Sequence, residues 1–258
     1  MQSFLGYQER FTVNMKGLVN VMAVTNNITL ESYEGITVLR DDLLIGGTKS
    51  RFLRLLLDEN KKGYVYASPV YGGFQIALSG VAKELGKESM IFCAKRNKKH
   101  SNTILASELG SLIVEVEHGY LNVVQKRAKD FVSANSDYQY LEFGANHPDA
   151  IRSIADTMKS IISELGSEPS EIFCAVGSGT LVKGILSGSS NAKVTGVVVG
   201  KEFNYDHERL NLIKYPKSFD YSSKYKAPFQ CMPNYDLKAL ELCMQLKKSN
   251  DVLFWNVY

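Results

Sequence analysis

The sequence predicts an α/β protein with mostly parallel sheets flanked by helices. Short apolar segments, such as residues 171–176 and 194–199, alternate with longer amphipathic segments, such as residues 148–165. Two of the amphipathic segments end at Gly86 and Gly166, and a glycine at this place is a common helix stop. Strands that alternate with helices pair in parallel and are covered by helices on their faces.

The same patterns predict each element in chain order. Strands are expected at residues 63–68, 89–94, 112–116, 138–143, 171–176, 194–199 and 251–257. Helices are expected at residues 52–57, 74–86, 100–109, 120–133, 148–165, 180–186 and 235–247. Residues 1–35 show no clear periodicity, although Asn26-Asn27 indicates a turn, and residues 201–230 are predicted to be irregular.

The composition is typical of a soluble globular chain. Its 258 residues are 45% hydrophobic and 22% charged, which is enough to bury a sizeable core. The net charge of +3 permits a nucleic-acid partner but does not require one. We see neither a signal peptide nor an apolar run long enough to span a membrane, so we expect a cytoplasmic protein.

The cysteines do not indicate a metal site. Cys93 and Cys174 lie inside apolar strand segments, and no Cys-x-x-Cys pair or His/Cys cluster is present. We therefore expect buried free thiols in a reducing compartment and no bound metal.

Lys49 is the first candidate site residue. It follows Gly46-Gly47-Thr48 and precedes a helical segment, so it lies between a flexible turn and a rigid element. From such a place a lysine can reach into a cleft and, once deprotonated, form a Schiff base with an aldehyde. The alternative is a surface lysine at a helix start, and this stretch alone favours that alternative.

A second stretch has the pattern of a phosphate-binding loop. Gly177, Ser178, Gly179 and Thr180 connect the strand at 171–176 to the next helix. Glycines let backbone N–H groups converge, the helix N-terminus adds its positive dipole end, and the two hydroxyls add donors. Neither a Walker loop nor a dinucleotide fingerprint is present. The alternative is an ordinary tight turn between strand and helix.

A third stretch places Tyr235 and Asp236 at the start of a helix, after Pro233-Asn234. A tyrosine ring can stack on a flat ligand and its hydroxyl can transfer protons, while the carboxylate can hold a pyridinium proton. The alternative is a favourable acid in a first helical turn.

Together and in this order, the three stretches resemble pyridoxal-phosphate enzymes of the tryptophan-synthase-β fold, also called fold type II. The nearest resemblance is to the aminocyclopropane-carboxylate deaminase / D-cysteine desulfhydrase family. Residues 40–51 look like that family's Arg-Glu-Asp…Gly-Gly-Asn-Lys-x-Arg, and residues 233–239 look like its Pro-Val-Tyr-Glu/Thr-Gly-Lys-Ala. The similarity covers residues 36–258.

The resemblance implies a lyase or deaminase that acts at the α-carbon of an amino acid. Lys49 would hold pyridoxal 5′-phosphate as a Schiff base, the loop 177–180 would bind its phosphate, and Asp236 would protonate its pyridine nitrogen beside Tyr235. Tyr71 and Tyr235 would also contact the cofactor, and Tyr235 would take part in catalysis with Lys49. The cofactor would lie between a larger lobe (residues 1–56 and 146–258) and a smaller lobe (residues 57–145). A homodimer is also expected.

One departure from the family leaves the substrate open. Where the family has an asparagine that contacts the cofactor's phenolic oxygen, this chain has Tyr71, and the cover over the pocket is expected to be shorter. An alternative substrate is therefore an amino-acid group attached to a nucleotide or DNA base, acted on by a lyase or decarboxylase. The basic stretches at residues 95–100 and 214–217 agree with that alternative. A second alternative is a catalytically inactive binding protein of the same fold.

Overall fold

Two sheets organise the molecule, of which a computed structural model describes residues 28–117, 119–144 and 146–258. The strands are β1 (Leu30–Tyr33), β2 (Ile36–Arg40), β3 (Gly63–Ala67), β4 (Glu88–Ala94), β5 (Leu112–Val116), β6 (Tyr138–Leu141), β7 (Glu171–Val176), β8 (Lys193–Val198), β9 (Leu210–Lys214) and β10 (Val252–Asn256). The helices are α1 (Lys49–Leu53), α2 (Phe74–Glu84), α3 (Ser101–Glu108), α4 (Leu121–Ala134), α5 (Pro148–Leu165), α6 (Thr180–Gly188) and α7 (Asp236–Leu246). The expected turn at Asn26-Asn27 lies outside the described residues.

The larger sheet has six strands in the order β1-β2-β10-β7-β8-β9. All neighbours are parallel except β1 and β2, which form an antiparallel hairpin. Strand β10 lies between β2 and β7, and Phe254 stands opposite both Val38 and Phe173. The expectation of mostly parallel sheets flanked by helices is confirmed.

The β1–β2 hairpin was not predicted. Its two turn residues, Glu34 (φ 45°) and Gly35 (φ 76°), both have left-handed backbone conformations. Such two-residue turns match the natural twist of paired strands. The glutamate gave no sign of this conformation, which non-glycine residues seldom adopt.

The smaller sheet has four parallel strands in the order β5-β4-β3-β6. Tyr64 and Tyr66 of β3 pack in the cluster that includes α2, whereas Val65 packs in a different cluster with α4. Both faces of β3 are therefore covered, and every residue of this strand is buried. That explains the continuous apolar pattern of this strand in the sequence.

A single hydrophobic cluster joins the two sheets. It contains Tyr66 and Ile91 from the smaller sheet and Cys174 and Trp255 from the larger one. The division into lobes at residues 57 and 145 therefore stays a prediction. Cys93 and Cys174 are free and buried, as expected. No helix in the described part of the chain is long and apolar enough to cross a membrane.

Three expected elements differ from the structure. Residues 201–230 contain β9, an edge strand whose residues are only partly buried, so its apolar pattern is weak. The helix expected at 52–57 starts earlier, at Lys49, and continues from Arg54 to Leu56 as a 3-10 helix. Strand β6 ends at Leu141 and not at residue 143.

Candidate active site

Lys49 is the first residue of α1, directly after a turn built on two glycines. Gly46 (φ 82°) and Gly47 (φ 70°) both have left-handed conformations. A Cβ on Gly46 would lie 2.3 Å from the Cα of Ala77, and a Cβ on Gly47 would lie 1.9 Å from the carbonyl oxygen of Val257. The glycines thus let the turn press against α2 and the residue after β10, and no larger side chain fits either position.

The buried carboxylate of Asp41 is hydrogen-bonded to this turn. Asp41, which is 0% exposed, accepts hydrogen bonds from Thr48 Oγ1 (2.6 Å), Arg51 Nε (3.0 Å) and Trp255 Nε1 (3.1 Å). Thr48 N–H also donates to the carbonyl of Val257 at 2.9 Å. Sequence reasoning assigned no role to this network. The signal for it was a charged residue placed directly after a buried strand.

The amine of Lys49 has no hydrogen-bond or ion-pair partner among the described residues. Burial lowers the pKa of Lys49, and the negative charge of Asp236 opposes this shift without cancelling it. A lysine whose surroundings disfavour the ammonium form is ready to act as a nucleophile toward an aldehyde.

Asp236 is fully buried at the first position of α7. Its carboxylate accepts hydrogen bonds from the backbone N–H groups of Met232 (2.6 Å), Val257 (3.2 Å) and Tyr258 (3.0 Å). Burial raises the pKa of Asp236 to about 7, although these N–H groups act in the opposite direction. A carboxyl in this state would hold a proton donor such as a pyridinium ion, because the ion pair offsets the cost of burying the charge.

Tyr235 comes just before α7 and reaches the loop that follows β7. Its phenol oxygen accepts a hydrogen bond from the N–H of Gly177, and a Cβ on Gly177 would lie 2.8 Å from that oxygen. Burial raises the pKa of Tyr235, so its hydroxyl stays protonated at neutral pH. The structure therefore brings Tyr235 to the candidate phosphate loop.

The candidate phosphate loop connects β7 to the N-terminus of α6. Gly179 has φ 84°, and a Cβ there would lie 2.0 Å from a ring carbon of Phe203, so only glycine fits. The hydroxyls of Ser178 (3.0 Å) and Thr180 (3.2 Å) both donate to the carbonyl of Gly144. These two hydroxyls converge beside first-turn N–H groups that have no partner within the helix.

Tyr71 lies apart from the other candidate residues. It stands in the turn before α2, is 42% exposed, and presents its ring to His100 (centroid distance 5.0 Å) and Phe219 (6.2 Å). Among the described residues, no hydrogen bond or ring contact joins Tyr71 to Lys49 or Tyr235. Its expected contact with the cofactor stays a prediction.

A family model described as "Pyridoxal-phosphate dependent enzyme" matches residues 30–205, more than half of the chain. The chain belongs to this family. Its fold is that of the fold type II enzymes, as the sequence motifs indicated. No curated protein sequence matches the chain significantly.

Solved structures of this family share the fold at low sequence identity. An ACC deaminase homologue has a TM-score of 0.74 and 16% identity over 86% of this chain and 83% of its own. O-acetylserine sulfhydrylase isoform 3 from Entamoeba histolytica has a TM-score of 0.72 and 14% identity over 95% and 90%. The O-acetylserine-dependent cystathionine β-synthase from Helicobacter pylori has a TM-score of 0.68 and 16% identity over 93% and 95%. At this identity the likeness shows the fold alone.

The residues present fit the family's cofactor. A desolvated and unpartnered amine suits its aldehyde, and a buried carboxyl with a raised pKa suits its pyridine nitrogen. Glycines where any Cβ would collide, a helix N-terminus and two hydroxyls suit its phosphate. Lys49, Asp236 and the loop at Gly177, Ser178, Gly179 and Thr180 are thus the groups of this chain that would hold it.

Proposed function

We propose that the protein is a pyridoxal-phosphate-dependent lyase or deaminase that acts at the α-carbon of an amino acid, with Lys49 as the residue that bonds the cofactor. The observation that carries this proposal is the place of Lys49, which is partly buried at the start of α1 after the turn of Gly46 and Gly47. Its amine has no hydrogen-bond or ion-pair partner among the described residues, and burial lowers its pKa against the opposing charge of Asp236. A surface lysine at a helix start, the alternative interpretation, would keep an ordinary pKa and a solvated ammonium.

The chain's own residues have separate tasks in this proposal. When bound, pyridoxal phosphate supplies an electron sink for the bond that breaks at the α-carbon. Lys49 moves the proton at that carbon, and Asp236 holds the proton on the pyridine nitrogen. The hydroxyls of Ser178 and Thr180, which donate to the carbonyl of Gly144 in this structure, would turn to donate to the phosphate when it is bound. Tyr235 packs beside the loop and keeps its hydroxyl proton at neutral pH.

A second candidate substrate is an amino-acid group attached to a nucleotide or DNA base. The observation that favours it is the group of aromatic and basic side chains around Tyr71. The ring of Tyr71 is part of an aromatic group with His100 and Phe219, and the nearby Arg96 and Lys98 are exposed with no ion pair among the described residues. Aromatic faces beside cations suit bases and phosphates.

Borohydride trapping tests the proposed role of Lys49. The purified protein loaded with pyridoxal phosphate should absorb near the visible edge, lose that band on reduction, and carry the adduct on residue 49. Lys49→Ala should abolish the adduct, whereas Lys83→Ala, an exposed lysine of α2, should leave it unchanged. An adduct that maps to another residue would refute the assignment.

The choice between substrates needs a second measurement on the same preparation. Exchange of the α-proton of free amino acids in heavy water, followed by NMR, should occur if small amino acids are substrates. No exchange, together with a change of the cofactor band on addition of an aminoacyl-modified nucleoside, would support the second candidate. No change with either ligand would indicate an inactive binding protein.

We also propose a homodimer, which sedimentation equilibrium checks.

A further inference from the structure

The carboxylate of Asp41 accepts hydrogen bonds from residues on both sides of Lys49 in the chain. Thr48 immediately precedes the lysine, Arg51 lies two residues after it, and both donate to the same buried carboxylate. The guanidinium of Arg51 is 2% exposed, so this ion pair is sealed from solvent. A charge-assisted pair in a dry interior has a defined geometry and resists displacement.

Trp255 closes the same network from the other side. Its indole N–H lies 3.1 Å from the carboxylate of Asp41 and 3.0 Å from the hydroxyl of Thr48. Trp255 is fully buried in β10, the strand at the middle of the larger sheet. The turn before Lys49 is therefore fastened to a strand whose every residue is buried.

Helix α1 cannot supply this fixation itself. It has five residues, and helices so short are not stable in isolation. Thr48 does not cap α1 with its hydroxyl, which instead donates to Asp41 and accepts from the indole N–H of Trp255. Without Asp41, the segment around Lys49 would keep the bond from Thr48 N–H to Val257, the bond from Ser153 to the carbonyl of Arg51 and the packing of the two glycines, but would lose its buried charged anchor.

We propose, on the premise that Lys49 bonds the cofactor, that Asp41 is the positioning residue for the Lys49 amine. By accepting hydrogen bonds from Thr48, Arg51 and Trp255, its carboxylate keeps that amine in its partly buried place. Asp41 does not act on the cofactor or the substrate in this role. It determines where the lysine side chain starts and how little water reaches its amine.

The neighbouring Asp42 provides a matched control. Its side chain is 2% exposed and accepts two hydrogen bonds from Arg40 (both 2.8 Å) and one from Asn256 (2.9 Å). Asp42→Asn therefore removes the same charge from a nearly buried carboxylate one residue away, whose partner Arg40 is 13% exposed. That pair does not include either neighbour of Lys49.

The experiment measures the basicity of the Lys49 amine in the cofactor-free protein. Competitive acetylation with trace anhydride across a pH series, read by peptide mass spectrometry, gives a labelling midpoint for each lysine. Asp41→Asn and the milder Thr48→Val should raise the midpoint of Lys49 by about one pH unit or more, because water gains access to the ammonium. Asp42→Asn should leave it unchanged, and the buried Lys238 serves as an internal reference in every sample.

The outcomes separate positioning from general stability. If Asp41→Asn fails to fold, Thr48→Val still tests the proposal, because it replaces one hydroxyl by a methyl group of similar size and changes no charge. A wild-type midpoint in Thr48→Val, or an equal rise in Asp42→Asn, would overturn the proposal. Because this readout needs no cofactor, the clamp can hold even if borohydride trapping places the cofactor on another residue.

Discussion

The end of β10 and the loops that follow the strands of the smaller sheet are built in opposite ways. Around β10, the carboxylates of Asp41 and Asp236 are 0% exposed and each accepts several hydrogen bonds. In the loops after β3 and β6, Tyr71 and Phe143 are about half exposed, at 42% and 48%, and Tyr120 after β5 is 81% exposed. One region has its polar groups enclosed and paired, whereas the other presents aromatic rings to solvent.

This difference matches the two tasks that the proposed function gives to the two regions. A cofactor site needs fixed groups at fixed distances, so its residues are tied to each other and leave motifs in the sequence. A surface that meets the substrate needs only a suitable shape and chemistry, and many sequences satisfy that need. Substitutions in the two regions should therefore affect different steps of turnover.

The largest effect is expected for Asp236→Asn. An amide cannot neutralise a protonated pyridine nitrogen, so turnover should fall by about tenfold to a thousandfold while cofactor affinity changes little. Single-turnover kinetics with saturating cofactor, or α-proton exchange where no substrate is known, measures the loss. Near wild-type rates would mean that Asp236 only caps the end of β10.

A control for Asp236 lies on the same helix. Glu241 of α7 accepts hydrogen bonds from the hydroxyls of Tyr215 and Ser223, both at 2.7 Å, away from the candidate site. Glu241→Gln should keep normal turnover even if it lowers the melting temperature. A loss equal to that of Asp236→Asn would point to damage of α7 in general.

An intermediate effect is expected for Ser178→Ala. Hydrogen bonds to a charged group contribute about 1.5–3 kcal/mol, so the dissociation constant of pyridoxal phosphate should rise by at least about tenfold. The rate at saturating cofactor should stay near normal. Fluorescence titration compares this variant with Ser160→Ala, an exposed serine of α5. Equal constants in the two variants would count against the loop as the phosphate site.

The smallest effect is expected for Tyr71→Ala. Its ring packs against His100 and Phe219 and has no contact with Lys49 or Asp236 among the described residues, so KM should rise by about threefold to tenfold with little change in kcat or in the cofactor band. Steady-state kinetics and the absorbance spectrum measure both. A shifted cofactor band would show instead that Tyr71 contacts the cofactor, as the family resemblance implied.

The sequence predicted the parallel strands because burial on both faces leaves an apolar run, as in β3 and β7. It did not predict β9, because neither face of this edge strand is completely buried. It did not predict the β1–β2 turn either, because Glu34 adopts a backbone conformation that its residue type disfavours. Lys49 could be selected from its glycines. The partners Asp41 and Trp255 could not, because they lie 214 positions apart in the chain and meet only in the folded protein.

The placement of β10 makes the molecule intolerant of shortening. This strand follows β2 and β7 in the chain but fills the gap between them. A nascent or truncated chain that stops before Val252 leaves two strand edges unpaired, and such edges pair readily with other chains. The same chain lacks the indole that fastens the turn before Lys49. Shortened forms should therefore be aggregates cleared by quality control and not weaker enzymes.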